Sequence, residues 1–125
     1  MEKGYTVEIV SSSEEFKGKR AVMLKDTTNS ESLQKLSVDG EFVFKPTAWA
    51  KLQIHNDRSE NKDYVVYIFV SDDGKFYSTS SENLFDTMSD IMLDMEDCEE
   101  DWAVRVFQRE SKNRAGQKFL TCAVC

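Results

Sequence analysis

The residues able to do chemistry are few. The single histidine, His55, lies in the polar run QIHNDRSE. Acid–base or nucleophilic catalysis needs such a group set beside a partner, and no motif here supplies one. There is no Walker loop, no GxGxxG and no GxSxG. His55 therefore reads as a solvated loop residue, and the chain as non-enzymatic. Cys122 and Cys125 form a C-x-x-C, but one histidine and Cys98 are too few further ligands for a zinc site. No metal and no cofactor are expected. The three cysteines read as reduced thiols of a cytoplasmic protein, with Cys122 inward on a last strand and Cys125 a loose end. The opening MEKGYTVEIV has no apolar signal-peptide core, so export is not expected.

Charge is the more informative feature. The net charge of −7 opposes simple attraction to phosphate, but it is unevenly spread. Residues 86–101 hold Asp86, Asp90, Asp94, Glu96, Asp97, Glu99, Glu100 and Asp101 with no cation among them. From residue 103 onward, Arg105, Arg109, Lys112, Arg114 and Lys118 face Glu110 alone. A ligand meets the local field rather than the total, so two opposite surfaces are expected. The acidic block lacks the spaced oxygen ligands and glycine of a calcium loop. It reads first as a solvated helix face. Its sharper reading is a protein-binding surface, with Asp86, Asp90, Asp94, Asp97 and Glu100 meeting a basic replication or host protein, as an inhibitor or DNA mimic would.

Single nucleic-acid strands are held by stacked aromatic rings and a basic groove. Alternation puts Trp49, Lys51 and Gln53 on one strand face and Ala48, Ala50 and Leu52 on the other. Trp49 beside Lys51 is a candidate stacking platform; a core tryptophan or a dimer contact reads equally well. On KFYST, Tyr77 is expected on the wet side and Phe76 in the core. Arg105 alternates with Val104 and Val106 and projects outward. The candidate binding set is thus Trp49, Lys51, Tyr77, Arg105, Arg109, Lys112, Arg114 and Lys118.

The elements that position these residues read mostly as strands. They are Tyr5 to Val10, Lys19 to Lys25, a long strand Glu41 to Ile54, Asp63 to Val70, Lys75 to Thr79, Trp102 to Gln108 and Gln117 to Val124. DTTNSES and HNDRSENK read as polar loops, and RESKNRAG as the tip of a basic final hairpin. Pro46 cannot donate to a ladder, so the long strand is an edge there or bends at a bulge. Asp73-Gly74 marks a hairpin turn. Between Ser81 and Glu96 the period becomes helical, with Leu84, Phe85, Met88, Ile91, Met92 and Met95 on one side and Ser81 as N-cap. No run of residues is apolar enough for a membrane span. The fold class expected is mostly β with one α-helix, a small antiparallel OB-like barrel forming a single domain over residues 1–125.

The order FKGKRAVMLK, DGEFVFKPTAWAKLQ, YIFVSDDGKFYST, NLFDTMSDIMLDM and WAVRVFQRESKNRAGQKFLTCAV resembles the single-stranded-DNA-binding proteins of phi29-type phages. The likeness runs over most of the chain and rests on the T-A-x-A step, Thr47 to Ala50, and the F-x-x-x-D-G-x-x-Y step, Phe69 to Tyr77. It implies a non-catalytic protein that coats displaced single strands during phage DNA replication, without sequence preference. It also implies stacking by Tyr77. The family pattern carries a second tyrosine where this chain has Leu52, a departure that Trp49 would have to make good.

Overall fold

The computed structural model describes residues 5–58, 60, 62–110 and 118–125. Eight strands run as β1 (Tyr5–Ser12), β2 (Ser30–Ser32), β3 (Phe42–Phe44), β4 (Pro46–Asn56), β5 (Asp63–Ser71), β6 (Phe76–Thr79), β7 (Val104–Glu110) and β8 (Lys118–Val124). Among the described residues three α-helices intervene: α1 (Gly18–Lys25), α2 (Leu33–Leu36) and α3 (Glu82–Asp94). The strands form a five-stranded sheet, β1-β4-β5-β6-β2, and a three-stranded sheet, β3-β7-β8. All pairs are antiparallel except β2 with β6.

The chain is β-rich and largely antiparallel, as its pattern indicates, but the barrel is not closed. The expected strand Glu41 to Ile54 is two strands in two sheets, and the break falls at Lys45. Pro46 lies beyond the last β1–β4 pair, Ser12 with Ala50, so its missing N–H faces no neighbour on that side. The register with β5 shifts between Pro46 and Ala48. The proline is thus both a local edge and a bend. It hands the chain from the small sheet to the large one.

Lys19 to Lys25 is not a strand. It lies within α1, because KRAVMLK is built from strong helix formers and its apparent alternation is short. Only Leu24 of this helix is buried. The polar stretch read as a loop holds a 3₁₀ turn, Thr27–Asn29, and then β2, which joins β6 through its main chain. At the far hairpin, Gly74 takes a φ of +85°, left-handed backbone that a side chain would strain. The Lys75 backbone N–H donates to Asp73 Oδ1 at 3.0 Å and holds that carboxyl below its ordinary range.

The large sheet is apolar on both faces. Ala48, Ala50, Leu52, Ile54, Ile68, Val70 and Phe76 pack with Leu24 on one side, joined by Phe16 and by Val7 and Ile9 of β1. Phe69 and Tyr77 pack on the other with Leu33 of α2, Leu84 and Met88 of α3, and Val104, Val106 and Cys122 of the small sheet. Helix α3 lies in this second core. The Ser81 hydroxyl accepts the Leu84 N–H and caps it, as expected. No helix among the described residues is long and apolar enough to cross a membrane.

Phe69 and Leu84 are both fully buried, whereas Leu93 of α3 is 69% exposed. Phe69→Ala should cost about 3–5 kcal/mol and Leu84→Ala about 2–5 kcal/mol. Leu93→Ala should stay within about 0.5 kcal/mol of the parent. Urea unfolding of the three variants checks this ordering.

Candidate functional site

The structure separates the residues grouped by the sequence. Tyr77 is not on a wet face. It is 5% exposed, its ring 5.0 Å from Phe42 and 4.9 Å from Phe44 between centroids. Phe76 is buried on the opposite side. Alternation assigned the two rings to opposite faces correctly, but both faces are covered. Burial, with the charges of Asp73 and Glu31 behind it, raises the Tyr77 phenol above its ordinary range. Leu52, at the other tyrosine position implied by the resemblance, is completely buried.

Trp49 and Lys51 share the half-buried side of β4, opposite Ala48, Ala50 and Leu52. Trp49 meets the edge of Phe85 from α3 at 5.0 Å and 83°. Phe85 in turn stacks on Tyr67 at 4.3 Å and 14°. Around Trp49, a groove of about 470 Å³ runs between α3 and the large sheet and includes Glu14, Asp90 and Glu96. That charge is the wrong sign for phosphate.

The cations form their own face. On β7, Val104 and Val106 point into the core with no exposure. Arg105, Phe107 and Arg109 consequently point out from the small sheet. The Arg105 guanidinium lies 4.7 Å from the Phe107 ring centre, and that of Arg109 lies 5.4 Å from it. One ring is thus flanked along the strand by two guanidinium groups. Arg105 also donates to Glu41 Oε1 at 2.7 Å. Phe119 of β8 pairs with Arg109 and is 45% exposed; Val43 of β3 pairs with Arg105 and is 54% exposed. Lys118 sits at the rim, in a cleft of about 300 Å³ that it lines with Phe107, Gln108 and Glu41. Lys112 and Arg114, expected at the hairpin tip, lie outside the described residues.

The candidate binding set read from the sequence holds the arginines of this face; Phe107 and Phe119 are recognisable there as strand aromatics but are not in that set. Phe107 and Phe119 complete this face. The signal was the pattern R-x-F-x-R from Arg105 to Arg109, which puts a ring between two cations on one strand side.

The acidic residues Asp86, Asp90, Asp94, Asp97 and Glu100 are all exposed, on α3 and the segment after it. Cys122 is inward, as expected, and burial pushes its thiol up to about 11. Cys125 is exposed but not loose: its N–H donates to Ala103 O at 2.9 Å, and its carbonyl accepts from Ala103 N–H at 3.3 Å. An inward Cys122 and an exposed Cys125 present no shared face for a metal. Among the described residues, no group of three His, Cys, Asp or Glu is placed to hold one.

His55 is on β4 rather than in a loop, opposite Asp63 of β5. Its Nδ1 is 2.8 Å from Asp63 Oδ1 and its Nε2 is 2.7 Å from Asp57 Oδ1. An imidazolium donates through both nitrogens, so this clasp favours the charged ring. The hydrogen bond to Asp63, then that to Asp57, raises the pKa above 6.5. A raised folded value means that the clasp stabilises fully below the unfolded pKa and fades as pH climbs through the folded one. The His55 ring proton shifts should titrate with a midpoint above 6.5, and Asp63→Asn should bring it down. An unchanged midpoint in that variant would show that the clasp does not form in solution.

Comparison with known proteins adds no assignment, since no family model, no curated protein and no solved structure matches the chain.

Proposed function

We propose that this protein binds single-stranded nucleic acid, without sequence preference, on the outer face of the small sheet. The observation that carries this is the Phe107 ring flanked by Arg105 and Arg109 beside exposed Phe119. Bases stack on Phe107 and Phe119, because every base offers a π face. Arg105 and Arg109 neutralise the phosphates, with Lys118 at the rim. An open sheet face suits one flexible strand whose bases can splay out, and a duplex hides those faces. The role supported by the phage resemblance is the coating of displaced DNA strands during replication, with no catalytic step. Trp49 and Lys51 lie on the large sheet, outside this face, and Tyr77 serves the core.

Fluorescence anisotropy of a labelled poly-dT oligonucleotide tests this reading. Binding should weaken with salt. Phe107→Ala should cost roughly 1–3 kcal/mol of affinity. Arg109→Ala should lower the slope of log affinity against log salt by about 0.7, the loss of one phosphate contact to a single strand. Trp49→Phe should leave binding unchanged. Absence of binding at micromolar protein in low salt would remove the proposal.

A further inference from the structure

Helix α3 and β4 enclose the groove that holds Trp49, and nothing in the nucleic-acid reading uses it. Trp49, Met92 and Leu93 supply its apolar part, and Glu14, Asp90 and Glu96 supply its charge. Leu93 is 69% exposed and lines the groove with Met92 and Trp49, so these three offer one apolar strip. Glu14 is engaged by Arg20 at 2.6 Å. Asp90 and Glu96 have no ion pair among the described residues, so their charge is open to a ligand.

We infer that this groove docks a cationic, apolar segment of a partner protein, one that places lysine or arginine next to an aliphatic side chain. Charge fixes the sign of the ligand. Among the described residues the groove lining holds carboxylates and no cation, so a nucleic-acid strand is repelled and an ammonium or guanidinium group is drawn in. The apolar strip fixes its neighbours. A partner leucine or isoleucine would cover Leu93 and Met92, while its cation reaches the indole of Trp49 and the carboxylates beside it. The groove shares no residue with the Arg105–Phe107–Arg109 face, so the two surfaces can be occupied together.

The probe is a short acetylated Lys-Leu-Leu-Lys peptide titrated into the full-length protein and followed by the Trp49 indole resonance. Lys-Ser-Ser-Lys and Glu-Leu-Leu-Glu peptides serve as controls. Only the first should move the indole at sub-millimolar concentration. Asp90→Asn with Glu96→Gln should weaken it roughly tenfold, the scale of two partly exposed ion pairs. Leu93→Ser, which keeps every charge, should weaken it as well. Equal binding of the lysine–serine peptide, or unchanged binding in both variants, would mean diffuse attraction to an acidic protein and would overturn the inference. So would sedimentation showing that a second copy of the chain occupies the groove. Loss of oligonucleotide binding on its own leaves this result standing, because the two tests read different surfaces.

Discussion

A sheet whose middle strands are apolar on both sides has to be covered twice. Here Ala50 and Trp49, Ile68 and Phe69, and Phe76 and Tyr77 are neighbours in sequence that face opposite ways, and all but the half-buried Trp49 are buried. Each square ångström of apolar surface left wet would forgo about 25 cal/mol, so neither face can be abandoned. Leu24 of α1 and Phe16 close one side. The other side is too broad for one helix. It takes α3, α2 and the inner face of the three-stranded sheet together. Everything exposed follows from this demand. The small sheet spends Val104, Val106 and Cys122 on the core, and its reverse side is free to carry arginines and rings.

The same demand sets the character of α3. Its inner stripe of Leu84 and Met88 is committed to packing, and its outer stripe is acidic. Glu82 in the first turn suits the positive end of the helix dipole. Asp94 in the last turn does not, and no basic residue stands there to compensate. A charge on the wrong end costs about 0.3–1 kcal/mol. Helix stability alone would place a cation at that end. Helix stability therefore does not account for the acid at that end.

Strong periodicity was legible. DYVVYIFV, the Asp73-Gly74 turn and the capped helix from Ser81 all lie where the pattern puts them, because each is a long run or a specific turn chemistry. The bend at Pro46 was legible for the same reason: a missing donor has a physical address. What the pattern could not show was which strands share a sheet. Glu41 to Ile54 reads as continuous, and its division at Lys45 is set by partners far away in sequence, β5 and β1 for one half and β7 for the other. Alternation placed Tyr77 opposite Phe76 but carried no information on a second layer, so a buried ring looked available for stacking. The reverse happened at Phe107, an outward ring left out of the candidate set although arginines two residues away on either side share its strand face. KRAVMLK failed because seven residues hold too little alternation to outweigh helix propensity.

The two cations beside Phe107 are not equivalent. Arg105 shares its guanidinium with Glu41, and both side chains are partly exposed, at 36% and 51%. Such a pair is worth about 0–1 kcal/mol, so an arriving phosphate can take the place of the carboxylate at little cost. Until it does, Glu41 holds Arg105 in line with the ring. Arg109 has the Phe107 ring as its described contact and no acidic partner among the described residues. Among the described residues its charge is uncompensated. The net −7 of the chain weakens this attraction little, since at physiological salt charges beyond about 8 Å are largely screened. Under the proposed function, Arg109 would draw the strand in, and Arg105 would exchange one anion for another once a base had stacked.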